Sequence, residues 1–122
     1  MRAVADTNVL VDYLRGIEAA AIELDRYHPA SISLVTWMEI LVGARTKAEE
    51  EQLRAFLRRF EILPIDQRVA DDAVHIRRER RLRLPDALIW ATARVHERIL
   101  VTRNTRDFPA KDPGIRIPYH LE

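Results

Sequence analysis

The sequence of 122 residues contains no cysteine and no long apolar run. Without cysteine, neither a disulfide framework nor a thiolate metal site is available. No apolar stretch approaches the roughly 20 residues that cross a membrane. The first residues also lack the apolar segment of a signal peptide. We therefore expect a cytoplasmic protein that does not associate with a membrane.

The sequence also has little excess charge and few lysines. Its net charge is +1, which does not by itself indicate a nucleic-acid partner. Of its 20 lysines and arginines, only Lys47 and Lys111 are lysines. Arginine is preferred where a forked donor binds phosphate or carboxylate. A GC-rich genome would produce the same bias, so both explanations stay open.

The composition is that of a folded domain with an apolar core. Hydrophobic residues make up 48% of the chain and charged residues 32%, which argues against disorder. Short apolar runs typical of strands alternate with helical patterns, which favours an α/β fold with a small, mainly parallel sheet. The candidate strands are residues 3–5, 30–33, 62–65, 99–102 and 115–117, and the candidate helices are residues 9–16, 17–27, 34–43, 47–60, from 66 onward, and 85–96.

One predicted helix carries a carboxylate at its start. Pro85 suits the first helical position, because its missing N–H would be unpaired there in any case. Asp86 follows, where the helix dipole favours negative charge. Residues 87–93 are almost all apolar, so we expect this helix to be buried. Asp86 could be a simple helix cap or part of a site.

Three further acids are predicted to approach Asp86. Asp6 follows the first strand, Asp107 lies beyond the strand at 99–102, and Glu39 lies in the helix after the second strand. In parallel α/β folds, ligands bind outside the carboxyl ends of the strands, so all four acids can converge there. Taken singly, Asp6 could only cap the first helix, and Asp107 could be an ordinary loop residue.

Glu39 is the most informative of these acids, because apolar residues surround it in the sequence. We expect it to be buried, and a buried carboxylate is costly unless a cation or a donor compensates it. An arginine from elsewhere could do so, but a metal ion would serve the whole cluster. Oxygen ligands favour Mg²⁺ or Mn²⁺, and an ion held this way can activate water against a phosphodiester. The histidines lie off these motifs: His28, His75, His96 and His120.

Four segments in order resemble those of PIN-domain ribonucleases, and most closely the VapC toxins of bacterial toxin–antitoxin pairs. They are residues 4–10, Glu39, residues 84–89 and residues 100–108. The resemblance implies that residues 1–122 form a single PIN domain, a three-layer α/β/α sandwich. It further implies that Asp6, Glu39, Asp86 and Asp107 are catalytic and that Asp6, Asp86 and Asp107 hold the Mg²⁺ or Mn²⁺ ion.

The same resemblance implies supporting residues, a substrate and partners. Asn104 stands where many members have aspartate, which removes one charged ligand. The substrate would be RNA, and the partners a VapB-type antitoxin and a second copy of the chain in a homodimer. The expected supporting residues are Thr7, Asn8, Thr102 and Asn104, and the expected RNA-binding residues are Arg81, Arg83, Arg103 and Arg106.

Two other functions remain open at this stage. One is an RNA-processing nuclease of the same fold without a toxin role. The other is a non-catalytic module whose acidic pocket binds a basic peptide. A phosphoacceptor receiver domain is excluded, because it needs a lysine after a late strand, where neither Lys47 nor Lys111 lies.

Overall fold

The computed structural model describes residues 2–121. This part of the chain contains five strands and six helices, with two helices between successive strands from β1 to β4. In chain order they are β1 (Ala3–Ala5), α1 (Thr7–Leu14), α2 (Glu18–Leu24), β2 (Ser31–Ser33), α3 (Leu34–Val42), α4 (Lys47–Leu57), β3 (Glu61–Leu63), α5 (Gln67–Arg80), α6 (Leu84–Val95), β4 (Ile99–Val101) and β5 (Ile115–Arg116).

The strands form one sheet in the order β3-β2-β1-β4-β5. Every pairing is parallel, with Val4 opposite Ser31 on one side of β1 and opposite Leu100 on the other. The predicted mainly parallel sheet is therefore confirmed and is wholly parallel. Because all strands run the same way, residues that follow β1, β2 and β4 reach the same edge.

The helices cover both faces of the sheet, which confirms the α/β/α arrangement. Along β1, Val4 packs into one apolar cluster, whereas Ala3 and Ala5 pack into the other. This alternation follows from the two-residue period of a strand. The first cluster contains residues of α5 and α6, and the second contains residues of α1, α2 and α4. No helix among residues 2–121 is long and apolar enough to span a membrane.

Local sequence signals account for where the helices begin. Ser33 accepts a hydrogen bond from the backbone of Val35 at the start of α3, and Asp66 does the same for Val69 at the start of α5. The α6 helix is buried as expected, but it begins one residue earlier, with Arg83 as its N-cap residue and Pro85 as the second helical residue. Either position spares the chain an unpaired N–H, so the shift costs nothing.

Candidate active site

A cleft of about 280 Å³ opens at the carboxyl edge of the sheet. Its walls come from the residues that follow β1 and β4 and from the α3 and α6 helices, as the parallel topology requires. Its lining residues are Asp6, Thr7, Asn8, Val11, Glu39, Arg83, Asp86, Arg103 and Asn104.

Asp6 lies at the floor of the cleft. Its backbone N–H continues the sheet by donating to the carbonyl of Val101 at 2.8 Å. One carboxylate oxygen accepts from the backbone of Thr7 at 2.7 Å, and the other accepts from the hydroxyl of Thr102 at 2.7 Å. Burial nevertheless raises the pKa of Asp6 to about 6, helped by the charges of Asp86 and Glu39. Asp6 is therefore a buried acid whose negative charge the protein only partly compensates.

Asn8 also forms a hydrogen bond with Asp6. Its amide donates to Asp6 at 3.3 Å and to the hydroxyl of Thr102 at 3.4 Å. Its carbonyl oxygen accepts from the backbone of Arg103 at 3.3 Å. Asn8 therefore links α1 to the segment after β4, and the predicted supporting residues Asn8 and Thr102 both contact Asp6.

Glu39 lies at the rim of the cleft and is exposed, so the expectation of a buried glutamate is wrong. The sequence misleads here because α3 buries only one face and leaves apolar residues, Met38 and Val42, exposed on another. The hydroxyl of Thr7 donates to Glu39 at 2.7 Å and lies 2.9 Å from the hydroxyl of Thr36. Because a hydroxyl has one proton, Thr36 donates to Thr7. Two threonines thus orient the glutamate.

Asp86 lies in the first turn of α6, as the sequence predicts, and it is buried. Arg83 donates to one of its oxygens through both Nε and Nη2 at 3.3 Å. The carboxylate is 12% exposed, whereas the Arg83 side chain is 81% exposed. Arg83 therefore reaches into the cleft from solvent, where it was predicted to contact RNA.

Asp107 does not line the cleft. Its carboxylate accepts from the amide of Asn104 at 3.0 Å, and its backbone donates to the carbonyl oxygen of Asn104 at 3.1 Å. It lines a neighbouring depression with Arg80 and Arg106. Asn104 itself lines the cleft. The fold therefore brings the amide of Asn104 to the site, and not the carboxylate of Asp107.

Arg103 forms an ion pair with Asp12, which the sequence did not predict. Its guanidinium donates to both oxygens of Asp12, at 2.6 and 3.1 Å, and the hydroxyl of Tyr119 donates to the same carboxylate at 2.8 Å. Asp12 is only 1% exposed. The guanidinium is thus held in an ion pair with Asp12, and RNA binding by Arg103 stays a prediction. A signal existed, because Asp12 shares the inner face of α1 with Val9.

The other predicted RNA-binding arginines are exposed. Arg106 lies in the loop after β4, and Arg81 ends α5 in the left-handed conformation with a φ of 55°.

Thr36 is a further residue of the site whose role the sequence did not predict. It stands three residues before Glu39 and therefore lies on the same side of α3.

The donor set fits a divalent cation of the Mg²⁺ type. Asp6 and Asp86 are the buried carboxylates of the cleft, and an ion would stabilise the ionised form of Asp6, whose pKa is raised mainly by burial. Among residues 2–121, no three acids or histidines lie close enough to hold an ion by themselves. Mg²⁺ usually keeps several waters and takes one or two protein carboxylates, so two suffice.

Comparisons with known proteins agree with this fold. The profile of the PIN domain family matches residues 3–112. The chain is 34% identical to Ribonuclease VapC10 of Mycobacterium tuberculosis over 94% of both sequences. It superposes on a chain of a toxin-antitoxin complex from Klebsiella pneumoniae with a TM-score of 0.90 and 44% identity, over 98% of this chain and 99% of that one.

A second solved structure is similar at lower identity. It is a chain of FitAcB from Neisseria gonorrhoeae, with a TM-score of 0.80 and 28% identity, over 98% of this chain and 99% of that one. The fold, the carboxylate cleft and these matches lead to one assignment: the chain belongs to the PIN-domain family, as a VapC-type member.

Proposed function

We propose that this protein is a metal-dependent endoribonuclease, a hydrolase of RNA phosphodiester bonds, and the toxin of an antitoxin-controlled pair. The observation that carries the proposal is Asp6, a buried carboxylate with a raised pKa beside Asp86 and Glu39 in an open cleft. Likeness to a protein named as a VapC ribonuclease supports the activity. Since the substrate would be cellular RNA, the protein would act in the cytoplasm.

In this proposal Asp6 and Asp86 hold one Mg²⁺ or Mn²⁺ ion. When bound, the ion would stabilise the charge that develops on the phosphate and acidify a water. Thr102 and Asn8 hold Asp6 in one orientation, and the start of α6 holds Asp86. Glu39, oriented by Thr7, stands at the rim, where it can take up a proton released during hydrolysis. Asp107 acts only indirectly, by fixing Asn104.

RNA binding would depend on the exposed arginines beside the cleft. Arg83 lies inside it, and Arg106 lines the depression next to it, so a chain that crosses both would meet two guanidinium groups. Arginine binds phosphate through its fork, and each such contact makes binding more sensitive to salt. Arg81 is a weaker candidate, because it lines neither cavity.

The main test is RNA cleavage by Asp6→Ala and Asp86→Ala, with Glu51→Gln as a control that removes an exposed charge from α4. We expect both cleft variants to lose about 100-fold or more in rate, as for removal of a central catalytic group, while Glu51→Gln keeps its activity. Cleavage at the unmodified rate by either cleft variant contradicts the assignment.

Sequencing of RNA ends after induction, with Asp6→Ala as the control, would identify the substrate. Growth arrest by the unmodified protein but not by Asp6→Ala is expected for a toxin. Cleavage of a cellular RNA without growth arrest would instead indicate a processing nuclease. Binding of a basic peptide without Mn²⁺ binding or cleavage would indicate an interaction module.

Two partners belong to the proposal. Likeness to a chain of a toxin-antitoxin complex supports a VapB-type antitoxin, which we assign to the acidic cleft.

We assign the exposed apolar face of α3, with Val42 84% and Met38 43% exposed, to a second copy of the chain. A second copy there would bring two clefts together along one RNA groove. Light scattering of the protein should give a dimer mass, and Val42→Glu should give a monomer.

A further inference from the structure

The cleft contains two guanidinium groups that differ in how firmly they are held. Arg103 makes two separate bonds, at 2.6 and 3.1 Å, to the two oxygens of Asp12, which is almost fully buried. Arg83 places two nitrogens 3.3 Å from a single oxygen of Asp86, and its side chain is 81% exposed. Moving Arg103 would leave a buried charge unpaired, which is costly. Arg83 can leave at little cost, because exposed ion pairs are weak.

The partner of Arg83 is also a candidate ligand of the metal ion. Asp86 cannot give the same oxygen fully to a guanidinium and to a divalent cation, since two cations at one oxygen repel each other. The divalent ion has the larger charge and the better fit to a small oxygen site. Arg83 therefore occupies one of the two carboxylate oxygens that Asp86 could offer to an arriving ion.

The charges of the loaded cleft show why Arg83 is nevertheless useful. Asp6, Glu39 and Asp86 carry three negative charges when ionised, and Arg103 is already balanced by Asp12. One divalent ion cancels two of the three charges, so Arg83 cancels the third. Without Arg83, the loaded cleft would stay negative and would repel an RNA phosphate.

We propose that Arg83 competes with the divalent cation for Asp86, and that metal binding transfers its guanidinium to a phosphate of the RNA. This inference rests on the proposed function, since it takes Asp86 as a metal ligand and RNA as the substrate. In this exchange, Arg83 weakens the binding of the divalent cation and strengthens the binding of RNA. Its removal should move the two affinities in opposite directions.

The first arm measures Mn²⁺ binding to the full chain without RNA, by calorimetry. Arg83→Gln should bind Mn²⁺ about two- to fivefold more tightly than the unmodified protein, the range expected from the loss of an exposed ion pair. Arg81→Gln is the matched control, because it removes the same charge two residues away, outside the cleft lining. It should change the Mn²⁺ affinity by less than Arg83→Gln does.

The second arm measures binding of a nuclease-resistant phosphorothioate RNA in saturating Mn²⁺ at several salt concentrations. Arg83→Gln should bind this RNA more weakly and lower the salt slope by about 0.7, the value for one phosphate contact on a single strand. In nitrogen-15 spectra, the Nε–H signal of Arg83 should shift on addition of Mg²⁺, whereas that of Arg103 should not.

The outcomes separate this inference from the proposed function. If Asp86→Asn loses Mn²⁺ binding but Arg83→Gln binds Mn²⁺ no more tightly than Arg81→Gln, the competition is refuted and the nuclease assignment stands. If Arg83→Gln weakens Mn²⁺ and RNA together, the exchange is equally refuted. If the unmodified protein binds no Mn²⁺, the proposed function itself fails. Because Arg83 is exposed, we expect the variant to fold, and its melting temperature checks this.

Discussion

Two groups of acids in this protein differ in how their charges are compensated. In the open cluster, Asp6, Asp86 and Glu39 face a cleft, and the exposed Arg83 pairs with Asp86. In the closed pairs, Asp12 and Glu23 each accept two bonds from one arginine and a third from a tyrosine hydroxyl. The closed pairs are Asp12 with Arg103 and Tyr119, and Glu23 with Arg116 and Tyr27.

Asp6 and Glu23, one acid from each region, differ in partners rather than in solvent exposure. Asp6 is 5% exposed and Glu23 is 3% exposed. Burial raises the pKa of Asp6 to about 6. Burial would also raise the pKa of Glu23, but hydrogen bonds from Arg116 and Tyr27 hold it below its usual value. A buried acid without its own cation is therefore the better sign of a functional site.

Breaking a closed pair should have the largest effect on stability. Arg103→Met leaves the carboxylate of Asp12 buried without its cation, which we expect to cost about 3–5 kcal/mol of unfolding free energy. Arg83→Met in the open cluster should change it by about 0.5 kcal/mol or less, because Arg83 is exposed. Urea denaturation measures both. Equal losses in the two variants would remove the distinction between the regions.

Neutralising one acid from each region should have opposite effects. The folded-state pKa of Asp6, about 6, lies above its ordinary value of 3.8. Its contribution to stability is therefore present below about pH 3.8 and lost as pH rises through 6. Asp6→Asn should stabilise the metal-free protein at pH 7, on the order of 2–3 kcal/mol, with no gain near pH 3.5. A destabilised Asp6→Asn protein at pH 7 would contradict the raised pKa.

Glu23→Gln is the counterpart. Folding lowers the pKa of Glu23, so its ionised carboxylate stabilises the fold above pH 4.5, the ordinary pKa of this group. This contribution is lost as pH falls through the folded-state pKa. We expect Glu23→Gln to cost about 1.5–3 kcal/mol at pH 7, as for a charge-assisted hydrogen bond, and less in acid. Thermal unfolding from pH 3.5 to 7 compares the two variants directly.

A divalent ion should reduce the difference between the regions. Binding requires ionised Asp6, so Mn²⁺ should stabilise the protein more at pH 7 than at pH 5. At a free Mn²⁺ concentration of ten times the dissociation constant, the unfolding free energy should rise by about 1.4 kcal/mol. Melting temperatures with and without Mn²⁺ measure this gain, and Asp6→Asn should lose most of it. A gain that is the same at both pH values would argue against Asp6 as a ligand.

A smaller loss of stability is expected from a change that affects the orientation of Glu39. Thr36→Val removes the donor to the half-buried hydroxyl of Thr7, at a cost of about 1 kcal/mol. Cleavage should fall about tenfold, the lower range for a residue that orients a ligand. Thr36→Ser keeps the hydroxyl and should keep both properties. If Thr36→Val cleaves RNA normally, the hydroxyl chain does not control Glu39.

Much of the fold could be predicted because its signals are local. The strands near 3–5 and 99–102, the cap at Asp66 and the buried helix after Asp86 depend on neighbouring residues. The site was harder to predict, because charge partners come from distant segments. The Asp12–Arg103 pair spans 91 positions, so the nearness of Arg103 to an acidic motif suggested an RNA contact but not this pairing.

Glu39 and Asp107 show the same limit. Apolar neighbours suggested that Glu39 is buried, but the burial of a helical residue depends on which face meets the sheet. Spacing after β4 suggested that Asp107 reaches the cleft, but the loop turns so that Asn104 does.

By itself, the sequence determined the alternation of strands and helices and the position of Asp6, Asp86 and Glu39 near one edge, because a parallel sheet sends every strand's carboxyl end the same way. Only the tertiary structure decided which acids receive an arginine and which stay uncompensated. The reason is electrostatic, since a charge is stabilised by what lies within a few ångströms of it, whatever its distance along the chain.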